Sequence, residues 1–116
     1  MTGNGRQWER RAANFLRRRG LQPLTRNYRC RFGEIDLVMT DGDTISFVEV
    51  RYRSPSRFGS GAESIGSTKR QRLIRAARHF LGRYPQYAER PCRFDVVSIS
   101  GTVWPRYEWI RNAFES

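Results

Sequence analysis

The stretch from Glu34 to Arg53 is the most β-prone in the chain, and a single turn signal, Asp41-Gly42-Asp43, divides it. Glu34–Met39 and Thr44–Arg53 therefore read as two strands of a hairpin. Acids are poor strand formers and costly inside a sheet. Yet Asp36 interrupts the first strand in Gly33-Glu34-Ile35-Asp36-Leu37-Val38, and Glu49 the second in Phe47-Val48-Glu49-Val50-Arg51. Side chains alternate along a strand, so Glu49 and Arg51 share a face with Phe47, while Val48, Val50 and Tyr52 take the other.

The hairpin register decides whether Asp36 joins Glu49. A two-residue loop at Asp41-Gly42 sets Asp36 opposite Phe47, diagonal to Glu49. A loop at Gly42-Asp43 sets it directly opposite Glu49. Both registers put the two carboxylates on one face; a three-residue loop separates them. Like charges facing each other across a sheet repel, and a divalent cation removes that penalty. Carboxylate oxygens suit Mg²⁺ or Mn²⁺. Such an ion polarises a scissile phosphate and acidifies a bound water, and Arg51 is placed to stabilise the charge that develops. Glu9 lies at the edge of the first helix's apolar face, near Leu16, from where it can point at the same ion. Its plainer reading is an acid favoured in a first helical turn.

The rest of the chain says what such a site would act on. Net charge is +11 and the sequence pI is about 11.1, which draws phosphate backbones in a salt-dependent way. A ribosomal or membrane-surface protein would share that charge. Hydrophobic content of 38% excludes a disordered basic tail. Lys69 is the single lysine among 22 basic residues, so arginine usage by itself argues little. Cys30 and Cys92, with the lone His79, make no zinc site and read as reduced core or strand residues. The opening residues Met1–Trp8 contain no apolar run, and no segment has the length of a membrane span, so a cytoplasmic protein with no membrane partner is expected.

Trp8, Ala12, Phe15 and Leu16 recur at helical spacing between Arg6 and Arg19, and Gly20 stops that helix. A first strand follows from about Leu24. Ser54–Ser67, rich in Ser, Gly and Arg, reads as a loop. Thr68 and Gln71 fit a capping box ahead of a helix with Leu73, Ile74, Ala76, Ala77, Phe80 and Leu81 on one face and Arg72, Arg75, Arg78 and His79 on the other. Pro85 closes it. Phe94–Ile99 reads as a strand, Gly101-Thr102 as a turn, Val103–Tyr107 as a fifth strand and Glu108–Phe114 as a short helix. The order α-β-β-β-α-β-β implies a single α/β domain, residues 1–116, with a mixed sheet flanked by helices.

Taken in order, these pieces resemble the PD-(D/E)xK nuclease superfamily and, within it, the YraN family of small endonuclease-like bacterial proteins. The matching segments are Gly5–Leu16 with its acid Glu9, Arg26-Asn27-Tyr28-Arg29, Gly33-Glu34-Ile35-Asp36-Leu37-Val38, Phe47-Val48-Glu49-Val50-Arg51, Lys69 with Gln71, and Arg93-Phe94-Asp95-Val96-Val97. The resemblance implies a restriction-endonuclease-like fold and Asp36 and Glu49 as metal ligands, with the carbonyl of Val50 as a third. It implies Gln71 near the phosphate or metal, as in Holliday-junction-resolvase-like members. Two positions depart from the pattern. Trp8 stands where the family usually has glycine, and Arg51 where the motif has lysine. Arginine stabilises charge but cannot accept a proton. Metal-bound hydroxide then suffices, or Lys69 substitutes, or catalysis is impaired.

Arg53, Arg57, Lys69, Arg70, Arg72 and Arg75 are candidates for contacts to nucleic-acid phosphates; the bland reading is a solvated face. Tyr52 and Phe58 have the chemistry to stack on unpaired bases, although core packing suits Tyr52 better. Asp95 is expected to accept a hydrogen bond or pair with an arginine. Three functions compete. The first is a Mg²⁺- or Mn²⁺-dependent endonuclease acting on DNA (favoured over RNA), including branched DNA, for which a homodimer would suit symmetric junctions. The second is a nucleic-acid-binding module on an inactive nuclease scaffold. The third is an adaptor for a protein partner.

Overall fold

The structure is a computed structural model that describes residues 2–53, 65–101 and 103–115. Helix α1 (Thr2–Arg18) precedes strands β1 (Gln22–Cys30), β2 (Gly33–Asp41) and β3 (Thr44–Arg53). Helix α2 (Ser67–Arg83) follows, then a 3₁₀ turn (Pro85–Tyr87) and strands β4 (Cys92–Ser100) and β5 (Arg106–Phe114). The sheet order is β1-β2-β3-β4-β5. Neighbours are antiparallel except β3 and β4, which are parallel and joined through α2. A parallel pair needs such a crossover, whereas β2 and β3 need only the two-residue loop Gly42-Asp43, with Gly42 at φ 61°. The domain is thus the α/β, mixed-sheet arrangement expected from the order of elements.

Each face of the sheet buries one helix. Ala12, Ala13 and Leu16 of α1 pack with Leu21, Leu37, Met39, Val48, Val97 and Ile99. Leu73, Ile74, Ala76, Ala77 and Phe80 of α2 pack with Ile45, Phe47, Phe94 and Val96. Gly20, at φ 99°, ends α1: its N–H bonds the Arg17 carbonyl at 3.0 Å and that of Leu21 the Leu16 carbonyl at 3.1 Å. That bonding pattern, with a left-handed glycine, is a Schellman cap.

Three sequence expectations fail. The cap of α2 is Gly66, without a side-chain hydrogen bond, so Thr68 lies inside the helix and no capping box forms. Val103 and Trp104 occupy the β4–β5 turn, 76% and 85% exposed, rather than starting a strand. Glu108–Phe114 is not a helix but most of β5. Opposite its bulge stands Asp95, buried on β4. It accepts hydrogen bonds from Ser46 Oγ (2.8 Å), Arg93 Nε (2.9 Å), Trp109 Nε1 (3.1 Å) and the Asn112 N–H (2.9 Å). Asn112, at φ 52°, sits where the β4–β5 register shifts between Phe94 and Val96. A tolerated left-handed asparagine and a buried acceptor thus fix a bulge that no periodicity announces. Arg93 also pairs with Asp41 at 3.0 Å, which ties the hairpin end to β4.

Removing Asp95 leaves the Ser46, Trp109 and Asn112 donors without their acceptor and takes one of two acids from Arg93. Asp95→Ala is therefore expected to cost about 3–5 kcal/mol in urea unfolding. A cost below about 1 kcal/mol, the scale of an exposed pair, would contradict this role.

Candidate metal centre

The β2–β3 ladder runs from Asp41–Thr44 to Leu37–Val48, and that register, extended by one step, sets Asp36 opposite Glu49. Of the two registers open to the sequence, the loop at Gly42-Asp43 is the one adopted. At Asp36 the regular pattern breaks. Ile35 packs on the α2 side and Leu37 on the α1 side, although residues two apart in a flat strand share a face. Across β1, Asn27 stands at φ 55°, between the pairs Arg26–Leu37 and Tyr28–Ile35. Both strands therefore turn over at one level. Asp36 Oδ2 takes the Val50 N–H at 2.9 Å, so a carboxylate bridges the point where β2 and β3 part.

Four acids gather around this fork. Glu49 is buried, 7% exposed, and its Oε2 meets Lys69 Nζ of α2 at 2.8 Å. Glu9 of α1 lies beside Asn27 and Asp36, and its Oε1 is buried without a hydrogen-bond partner among the described residues. Glu34 pairs loosely with Arg29 at 3.5 Å. Carboxylate oxygens of Glu9, Glu34 and Asp36 all lie within 4.8 Å of one another.

Such crowding shows in the protonation equilibria. Burial, reinforced by the Glu9 charge, pushes Asp36 up to about 6 against the Val50 N–H, the Glu49 hydrogen bond and Lys69. Burial, then the Asp36 charge, pushes Glu49 up to about 7 despite Lys69. Burial also raises Glu9, with Asn27 and Asp36 opposing. A hydrogen bond between two carboxyls requires a shared proton. A divalent cation could take the place of that proton, with the Glu9 oxygen that lacks a partner among the described residues as a candidate ligand atom. The donor set is all oxygen, as Mg²⁺ and Mn²⁺ require.

The sequence-derived candidates divide between this centre and its surroundings. Asp36, Glu49 and Glu9 come together, and Val50 joins them through its N–H. Arg51 is half-buried two residues beyond Glu49. Lys69 is engaged by Glu49, with its side chain 54% exposed. Gln71 is exposed and lines a cleft of about 380 Å³ with Arg31, Phe32, Thr68, Arg72 and Arg75. Arg53 and Arg70 are half-buried; Arg57 and Phe58 lie outside the described residues. Tyr52 is not a core residue: it is 36% exposed and stacks on Trp8 with ring centroids 4.2 Å apart. His79, expected on a polar face, is half-buried and meets the Tyr28 hydroxyl at 2.6 Å. Glu34 and Asn27 were missed by sequence reasoning. Glu34 stands two residues before Asp36, the spacing of one strand face, and asparagine is among the few residues that tolerate positive φ.

Comparison with known proteins places this architecture in a family. Residues 8–99 match the model of the uncharacterised protein family UPF0102. A UPF0102 protein of Nitrosomonas europaea is 54% identical over 111 residues, covering 96% of this chain and 92% of that protein. One from Pseudomonas aeruginosa is 52% identical over 115 residues, covering 97% and 92%, and one from Pseudomonas fluorescens 48% over 113 residues, covering 97% and 93%.

Because Asp36 and Glu49 titrate higher folded than unfolded, the folded chain holds more protons between about pH 4 and 7. Stability of the metal-free protein is therefore present below that window and lost as pH rises through it. For this coupled pair the loss between pH 5 and 8 should be on the order of 3 kcal/mol, and Asp36→Asn should reduce it. Urea midpoints across that range measure the effect; a flat wild-type profile would contradict the account of the site.

Proposed function

The chain belongs to UPF0102, the YraN family, and on that footing we propose that it is a metal-dependent phosphodiesterase acting on nucleic acid, with DNA favoured over RNA. One observation carries the reading: acids from α1, β2 and β3 converge where a hairpin forks, on a chain of net charge +11. Structural acids in so arginine-rich a protein would be expected to end on arginines, as Asp95 does. Asp36 instead faces Glu9 and Glu49.

Glu9, Glu34 and Asp36 are the residues that would hold Mg²⁺ or Mn²⁺, with Glu49 adjoining. A bound ion would supply Lewis acidity toward a phosphoryl oxygen and a lowered pKa for water. The chain's own groups supply the rest. Asn27 and the Val50 N–H orient Glu9 and Asp36. Lys69, held by Glu49, keeps a partly exposed ammonium beside the acids, available to a phosphate oxygen. Arg51 adds fixed positive charge, since guanidinium does not give up its proton at any working pH.

Arg51 in place of the motif lysine supports a second reading, a binding module on a scaffold without activity. The two differ in what they require of the acids. Pure protein incubated with branched, nicked and single-stranded DNA plus Mg²⁺ or Mn²⁺ is expected to cut at least one of them. Asp36→Asn or Glu49→Gln should lower the rate by more than the roughly 10–100-fold typical of losing an outer-shell partner. Absence of cleavage with either ion, alongside DNA binding indifferent to EDTA and to Asp36→Asn, would leave the binding module as the function.

A further inference from the structure

On the α1 side of the acids lies a cleft of about 420 Å³ lined by Arg6, Glu9, Arg10, Arg26 and Asn27. Arg6 and Arg10 stand one helical turn apart on α1, and Arg26 reaches the same space from β1. All three arginines are exposed, and none forms an ion pair among the described residues. The single acid in the wall, Glu9, already belongs to the carboxylate cluster and feels the Arg26 charge. Three guanidinium groups around one cavity repel each other unless an anion enters.

We propose that this cleft is a subsite for a backbone phosphate of the nucleic-acid strand, next to the phosphate that lies over the carboxylates. The inference rests on the proposed function, since it takes the strand to pass over that cluster. Glu9 links the two places, being both a wall of the cleft and a member of the acid group. Guanidinium forks match the non-bridging oxygens of a phosphodiester in a way a point charge does not. The volume lies in the range of small-ligand sites, enough for a phosphate together with its sugar. Guanidinium groups spent on phosphate oxygens fix the register of the strand without selecting sequence.

The far end of α1 provides an internal control. Arg17 and Arg18 line a second cleft with Asn14 and Gln22, which no acid of the cluster lines. Fluorescence anisotropy of a short labelled DNA duplex, and of its single strand, is measured in EDTA over a salt series. The proteins compared are wild type, Arg10→Ala/Arg26→Ala and Arg17→Ala/Arg18→Ala. The two variants lose the same charge. The first should bind about tenfold or more weakly, with the slope of log affinity against log salt reduced by about 1–2. The second should lie within about threefold of wild type. Glutamine at positions 10 and 26 repeats the test with the aliphatic stems retained, and unchanged thermal unfolding certifies the fold. Equal losses in the two variants, or no DNA binding by wild type, overturn the subsite. Cleavage is scored separately with Mn²⁺: a binding loss in a protein that never cuts retains the subsite and removes the hydrolase, whereas cutting with equal losses does the reverse.

Discussion

A carboxylate inserted into a β-ladder governs the architecture of this protein. Where β2 and β3 would continue their exchange of backbone hydrogen bonds, Asp36 accepts the Val50 N–H instead. Its neighbours Ile35 and Leu37 then face opposite cores, and Asn27 takes up the turn on β1. That distortion lets one acid touch Glu9 from the α1 side and Glu49 from the α2 side. A regular strand would direct Asp36 to one face only.

The molecule keeps two kinds of buried acid. Asp95 has several donors, among them a guanidinium, and fastens β3, β4 and β5 around a bulge. Asp36 and Glu49 face each other, with one backbone N–H and one lysine for compensation. The first arrangement is a satisfied structural knot. The second leaves two mutually repelling carboxyls that hold protons more tightly than ordinary acids. Helix α2 serves this second site directly, because its first turn brings Lys69 to Glu49 while its apolar face covers the sheet.

Much of this was legible in the chain. Both helices, the central hairpin and the convergence of Asp36 with Glu49 follow from periodicity, turn chemistry and strand alternation. What escaped has physical reasons. Loop composition did not choose between Asp41-Gly42 and Gly42-Asp43, because both dipeptides suit a tight turn. Strand β5 was misread because three exposed residues, Arg111, Asn112 and Ala113, occupy its bulge and blur the period of two. Thr68 and Gln71 matched a cap by spacing, but Gly66 starts the helix two residues earlier. Glu34 was passed over although it stands at the spacing of one strand face from Asp36, because an exposed acid at a strand's start also reads as a solvated position.

Anomalous diffraction from a crystal soaked in Mn²⁺ near pH 8 tests the central claim most directly. One strong peak is expected at the fork, about 2.0–2.6 Å from oxygens of Glu9 and Asp36. A crystal that diffracts well and shows no ion among Glu9, Glu34, Asp36 and Glu49 would contradict it.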